Sequence, residues 1–204
     1  MERVVYTIGH SNHSAETFLG LLRTHGVGAV ADVRSRPYSR YNPQFDREEL
    51  KQSLKQAGIE YVFLGEELGA RSDIPSCYER GKVRYDRLAE TAAFREGLTR
   101  VETGMAEYRV SLMCAEKEPA ECHRTILVAR YLELRGMQMR HILADGSIET
   151  QAEVMNRLMT AFDLRQNQQH FFRSDEELLE DAYRMQEARI AFEIDREAND
   201  ASAA

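Results

Sequence analysis

Val110-Ser111-Leu112-Met113-Cys114-Ala115-Glu116-Lys117-Glu118-Pro119-Ala120-Glu121-Cys122-His123-Arg124 begins as an apolar run, passes through a charged loop and ends at the start of amphipathic spacing. Val110 to Met113 is too short for a helix and apolar apart from Ser111, which suits a strand buried on both faces. Cys114 stands at its carboxyl end. Pro119 fits the first turn of a following helix, where its missing N–H would be unpaired anyway, and Ile126, Leu127, Arg130 and Leu134 carry that helix on. This reading places Cys122, His123 and Arg124 within its first two turns. A thiol, an imidazole and a guanidinium thus gather where open α/β sheets bind ligands and where a helix N-terminus offers about half a positive charge to an anion. A thiol in such surroundings has its pKa lowered to roughly 3.5–7.5, which makes it a nucleophile at neutral pH. The competing reading is structural, since cysteine is among the most buried residue types and Cys114 could simply end a strand.

Upstream, the same pattern of strand, polar loop and helix recurs. Arg3 to Ile8 is β-branched and aromatic enough for a first strand, and His10 and Asn12 follow in a polar turn before Ser14, a good N-cap for a helix that stops near Gly26. Val27 to Val33 reads as a second strand, reached by a short connection, so strand, helix and strand form a right-handed parallel unit. Asp32 falls near its end and leads into Arg34-Ser35-Arg36-Pro37-Tyr38-Ser39-Arg40-Tyr41-Asn42-Pro43, a loop whose prolines exclude helix and central strand. Arginine forks pair with phosphate oxygens and tyrosine faces stack on bases, so Arg34, Arg36 and Tyr38 are candidates for a nucleotide or single-stranded nucleic acid. Asp46 with Glu49 fits a capping box for a helix to Gly58, and Ile59 to Leu64 is a third strand, ending at Glu66 and Glu67. Ser72 to Arg84 reads as an irregular excursion containing Cys77.

Downstream, Asp86 to about Thr103 is helical, and Met137 to Leu143 forms a fifth strand with His141 inside it, packed or at an edge. Asp145-Gly146 marks a tight turn, and Glu149 to Phe162 a helix. Gln166 to Gln169 looks like a linker. Ser174 with Glu177 is a second capping box, opening a charged helix with Leu178, Ala182 and Met185 on a thin apolar stripe. Such a helix docks on the body or on a second subunit, which would make a homodimer. The expected organisation is a single α/β domain over residues 1–165, with a mostly parallel sheet of about five strands flanked by helices, and a C-terminal helical extension over 166–204.

The chain of 204 residues has a net charge of −7, but residues 171–204 hold ten acids against four arginines. The acidity is mostly a property of the tail and does not argue against an anion site in the body. No run is apolar enough to span a bilayer, and three widely spaced cysteines make no disulfide framework. Both point to a reducing, cytoplasmic setting with no membrane partner.

The pieces Thr7-Ile8-Gly9-His10-Ser11-Asn12, Asp32-Val33-Arg34-Ser35-Arg36-Pro37-Tyr38-Ser39, Leu64-Gly65-Glu66-Glu67-Leu68-Gly69, Leu112-Met113-Cys114-Ala115-Glu116-Lys117 and Cys122-His123-Arg124 resemble the DUF488 family, a domain of unknown function. The resemblance covers about Val4 to Asp145 and implies that these strand ends form one site; it supplies no reaction and no cofactor.

Three functions compete. The first is an enzyme, a hydrolase among the candidates, acting on a phosphate-bearing ligand. Here Arg34, Arg36 and Arg124 hold the anion, with His10, Asn12, Tyr38 and Glu66 around it, Cys114 or His123 as nucleophile or acid/base, and Asp32 orienting a partner. In the second, Arg34 to Arg40 with Tyr38 and Tyr41 bind nucleic acid without catalysis. The third is a metal site of His10, Cys114, Cys122 and His123, perhaps with Glu116, although Cys122 and His123 would diverge by about 100° on a helix.

Overall fold

Strands form at the β-branched and aromatic runs, and side chains alternate between the two faces of the sheet they build. The computed structural model describes residues 3–165 and 173–194. Its elements in order are β1 (Val4–Gly9), α1 (Ala15–Thr24), β2 (Ala29–Asp32), α2 (Arg47–Gln56), β3 (Glu60–Phe63), α3 (Gly65–Leu68), β4 (Tyr78–Glu79), β5 (Lys82–Val83), α4 (Tyr85–Ala89), α5 (Ala92–Gly104), β6 (Val110–Cys114), a π-helical segment Arg124–Ala129 that continues into α6 (Arg130–Glu133), β7 (Gln138–Ile142), β8 (Ile148–Thr150), α7 (Gln151–Ala161) and α8 (Asp175–Ile190). The expected linker over 166–169 and the chain beyond 194 lie outside the described residues.

The fold is α/β. Its main sheet has the order β3-β2-β6-β1-β7-β8, with the first five strands parallel and β8 antiparallel at the edge. The sixth strand is the difference from the expected five. Asp145-Gly146 turns the chain back, with Gly146 at φ +86°, and Ile148 to Thr150 pair with β7 before α7 begins. Three residues are too short a run for alternation to reveal. Thr150 then caps α7 in a box with Glu153, so this helix starts at Gln151 rather than Glu149.

Alternation sorts the core into two layers. Tyr6, Ile8, Val30 and Met113 face α1 and α2, whereas Val5, Ala29, Ala31, Leu112 and Cys114 face α5, the π-helical segment, α7 and α8. The chain therefore leaves β1 across one face and β6 across the other, although the two strands are hydrogen-bonded neighbours with Gly9 opposite Cys114. Such a reversal opens a crevice above the carboxyl ends of the pair.

The apolar stripe of α8 is used within the chain. Leu178, Ala182 and Tyr183 are buried against the body, and Gln186 donates to the Ala120 carbonyl at 2.8 Å. Beyond α8, Val83 N–H donates to Phe192 O (2.9 Å) and Ile194 N–H to Gly81 O (3.0 Å), adding the segment Phe192 to Ile194 to the β4–β5 hairpin. That hairpin lies inside the excursion expected over Ser72 to Arg84. Ser14 and Ser174 cap α1 and α8 as expected, but Asp46 makes no side-chain cap of α2. Its carboxylate instead accepts from Ser39 N–H at 2.8 Å, closing the arginine loop on itself. Among the described residues no helix is long and apolar enough to cross a membrane.

Candidate functional site

The ends of β1, β2 and β6 set the site. His10 N–H donates to Cys114 O and Ser11 N–H to Ala115 O, both at 2.9 Å, so the β1–β6 ladder runs on past the sheet. Ser11 takes φ +49°, a left-handed conformation that costs a non-glycine residue about 1 kcal/mol. The His10 ring stacks on Phe45 with centroids 4.3 Å apart.

Asp32 is fully buried and holds Arg34. Its Oδ1 accepts from Arg34 Nε (2.9 Å) and from the Arg34 backbone N–H (3.1 Å), while Oδ2 accepts from Arg34 Nη2 (2.7 Å) and the Tyr61 hydroxyl (2.8 Å). Arg34 Nη1 in turn donates to His10 Nε2 at 3.3 Å, since a guanidinium has no acceptor. His10 Nδ1 therefore carries the ring proton and donates to the Ser11 carbonyl at 2.8 Å. Burial and the Arg34 charge push the His10 pKa down to about 4, against the opposing pull of Ser11, and keep this ring neutral near pH 7.

Cys114, Cys122 and His123 converge beside this group. The expected helix start at Pro119 is not what forms. Pro119–Glu121 make one 3-10 turn, Cys122 is extended at φ −131° and ψ 140°, and the helix begins only at Arg124, as a π-helical segment. The extended residue removes the divergence that a helix would impose, so both cysteine sulfurs face one ring nitrogen. Cys114 Sγ lies 3.6 Å and Cys122 Sγ 3.9 Å from His123 Nδ1. His123 Nε2 donates to the Val33 carbonyl at 2.9 Å, which aims Nδ1 at the sulfurs. Glu116 turns its carboxyl group inward, with Oε2 2.9 Å from Cys122 Sγ, and Arg124 N–H reaches the same sulfur at 3.4 Å.

The two thiols differ electrically. The lowered Cys114 thiol expected from the sequence is not what forms: among the described residues no α-helix N-terminus stands beside it, and burial pushes the thiol up, helped by negative charge at Cys122. For Cys122 burial acts the same way, but the Cys114 thiol, the Arg124 charge and His123 outweigh it and hold this thiol well below its usual range. Burial would lower His123, yet Cys122 and Glu116 raise it, and burial with the Cys122 charge raises Glu116.

Arg124 does not face the ligand crevice. It is fully buried, and its Nη1 donates to the Glu116 carbonyl (2.8 Å), its Nη2 to the Lys117 carbonyl (3.4 Å) and its Nε to Thr7 Oγ1 (3.4 Å). The charge expected to bind an anion pins the loop after Cys114 instead. Gly9 belongs to the same packing, because a Cβ there would overlap the Glu116 carbonyl.

Thr7 continues this contact into a directed chain. Gln151 Nε2 donates to the Thr125 carbonyl (3.2 Å) and the Tyr183 hydroxyl (2.9 Å), so Gln151 Oε1 is the acceptor for His141 Nε2 at 2.8 Å. His141 Nδ1 then accepts from the Thr7 hydroxyl at 2.8 Å. Of the two positions expected for His141, packed or at an edge, it takes the first: it is completely buried on β7, between β1 and β8, where it links the site loop to α8. Burial first and the Arg124 charge next push its pKa down to about 3 from 6.5. Between these values the unfolded chain binds the proton and the folded one does not, so folding stability falls as pH drops through the window, by about 1.4 kcal/mol per unit. In urea unfolding, the destabilisation caused by His141→Asn should shrink by that amount for each unit below 6.5. Groups titrating with the opposite sign, such as Glu133 raised by burial, cancel in this difference. A difference that does not change with pH would show that folded His141 takes up its proton as readily as the unfolded chain does.

A cavity of about 330 Å³ opens over the crevice, lined by His10, Arg34, Arg36, Tyr38, Cys114 and His123 among the expected residues. Asn12, Glu66 and Arg124 do not line it. Asn12 and Glu66 are exposed, and Glu66 sits on the short α3. Sequence reasoning missed Arg71, Tyr85, Ile190 and Phe192 in its wall. Arg71 was within reach, because it follows the third strand's end; its guanidinium lies 4.3 Å over the Phe192 ring. Ile190 and Phe192 carried no signal, since only the docking of α8 brings them there.

No curated protein matches this chain. A family model does, over residues 14–132, from the cap of α1 to the end of the helix that follows Cys122-His123-Arg124. The match takes in Asp32, the arginine loop, β6 and the cysteine–histidine group, and the chain belongs to the family described as domain of unknown function DUF488.

Proposed function

We propose that the protein binds a phosphate-bearing ligand of nucleotide type in this cavity and acts on it at the Cys114–His123 floor. The observation that carries the reading is where the cavity lies. It opens at the reversal of chain direction between β1 and β6, with Arg36 and Arg71 in its wall and the buried cysteine–histidine group beneath. Its volume of about 330 Å³ suits a small ligand. Arginine forks match phosphate oxygens, and Tyr38 at the rim, 71 % exposed, offers a face for a base. Glu116 and Glu121 also face the cavity, which directs the phosphate to the Arg36–Arg71 side. Because burial raises the Cys114 thiol, His123 Nδ1 at 3.6 Å serves as the base that takes its proton, and this pair beneath a cationic wall suits hydrolysis or transfer at a phosphate-linked bond.

A second reading rests on Tyr41, 85 % exposed on the same loop as Tyr38 and Arg40. These side chains would let a single-stranded nucleic acid run onto the rim and present its end to the cavity.

Calorimetry with a nucleoside, its 5′-monophosphate and a short 5′-phosphorylated oligonucleotide tests both. The monophosphate should bind more tightly than the nucleoside, and Arg71→Ala should weaken it by about 10-fold or more, as for loss of a charged hydrogen bond. Tighter binding of the oligonucleotide, with an affinity that falls steeply with salt, favours the second. Equal binding of nucleoside and monophosphate removes the phosphate from the account.

A further inference from the structure

Cys114, Glu116, Cys122 and His123 each offer one donor atom, and these four atoms lie within 4.8 Å of one another. They are the group among the described residues that could close around an ion. The chemistry of the set is uneven for a purely structural cluster. Two thiols and a carboxyl group crowd one imidazole, and the Arg124 guanidinium is engaged with backbone carbonyls and Thr7. A divalent cation at their centre would balance that set.

We infer that these four residues form a site for one ion of the zinc class. Bonds of about 2.3 Å to sulfur and about 2.0–2.2 Å to nitrogen or oxygen give tetrahedral edges of about 3.4 to 3.8 Å between donors. The sulfur–nitrogen separations of 3.6 and 3.9 Å are close to this, and the 2.9 Å between Cys122 Sγ and Glu116 Oε2 needs only a small outward movement of an exposed side chain. His123 is oriented as zinc-binding imidazoles are. Its far nitrogen donates to the Val33 carbonyl and leaves Nδ1 for the metal. Soft thiolates with imidazole select zinc over magnesium or calcium. His10 is outside the set, because its two nitrogens are taken by Arg34 and Ser11.

The inference does not depend on the ligand reading, since metal is counted whether or not a nucleotide binds. It replaces one part of that reading: with the ion in place Cys114 and His123 are its ligands rather than nucleophile and acid/base, while the cationic wall of the cavity is unchanged. It adds a role for Glu116. As the solvent-reached member, lining the cavity, it is the ligand that an incoming group would displace, so three buried residues hold the ion and the fourth position opens to the cavity.

The full chain, purified under reducing conditions without added metal, should carry one equivalent of zinc by elemental analysis. Exchange for cobalt(II) should give a thiolate charge-transfer band and the visible bands of a tetrahedral ion. Cys122→Ser should weaken cobalt binding by more than 100-fold, beyond the 10–100-fold that loss of an outer partner costs. Glu116→Gln leaves the core untouched and covers the case in which the cysteine variant does not fold; it should keep the ion and shift the visible bands. Reduced protein that takes up neither zinc nor cobalt overturns the inference, as does a Cys114–Cys122 disulfide whose reduction restores no uptake. A spectrum unchanged in Glu116→Gln removes the fourth ligand as assigned.

Discussion

Asp32→Ala will lower folding stability by about 3–5 kcal/mol, the range for breaking a buried ion pair, because it strands the Arg34 guanidinium in a site where neither partner is exposed beyond 5 %. The same change takes an acceptor from the Tyr61 hydroxyl and from the Arg34 N–H. Against a total of about 5–15 kcal/mol for a domain, this is a large fraction. Urea unfolding with an unchanged m-value measures it. The double change Asp32→Ala with Arg34→Met separates two causes. Removing both charges should recover part of the loss, since an apolar pair of similar volume is tolerated far better than a lone buried charge. A double variant as unstable as the single one would assign the cost to lost packing instead.

Arg124→Met should cost about 3 kcal/mol and, unlike the first change, loosen one loop selectively. Methionine fills the volume but leaves the Glu116 carbonyl without its donor at 2.8 Å and Thr7 without its contact. Hydrogen exchange should then rise across Ala115 to Glu118 before it rises in the sheet. Arg124→Lys keeps the charge yet loses the fork that spans two successive carbonyls, so it should recover less than half of the stability. A lysine variant as stable as the parent would mean that charge alone holds the loop.

Most of the sheet was legible in the sequence because its strands are short apolar runs that end in polar loops. β6 and β2 are buried along their whole length, as continuous apolar runs in parallel sheets are. Topology also foretold that His10, Arg34 and Cys114 would meet, as ends of parallel strands. Three features were not legible, each because a tertiary partner decides it. Cys122 is extended where Pro119 promised helix, since its sulfur caps the Arg124 N–H and meets Cys114. Arg124 looks like an anion ligand in sequence but is buried by the return of the Glu116 carbonyl over Gly9. Asp46 forgoes its helix cap because Ser39, seven positions earlier, presents a donor. Arg71 and Phe192 entered the cavity wall from the loop after β3 and the segment after α8, and only the former could be placed from strand order.

The donors from Arg124 through Thr7, His141 and Gln151 to Tyr183 all point one way, because the guanidinium at the head has no lone pair to offer. Such a chain has a grammar. A replacement at position 141 must accept on one side and donate on the other, and one at 151 must do the same, or every later member is left facing a partner of its own kind. Descendants of this sequence are therefore bound to change positions 7, 141, 151 and 183 as a set. In this way Tyr183, which lies beyond the family's shared segment, inherits a constraint that originates at the loop after Cys114.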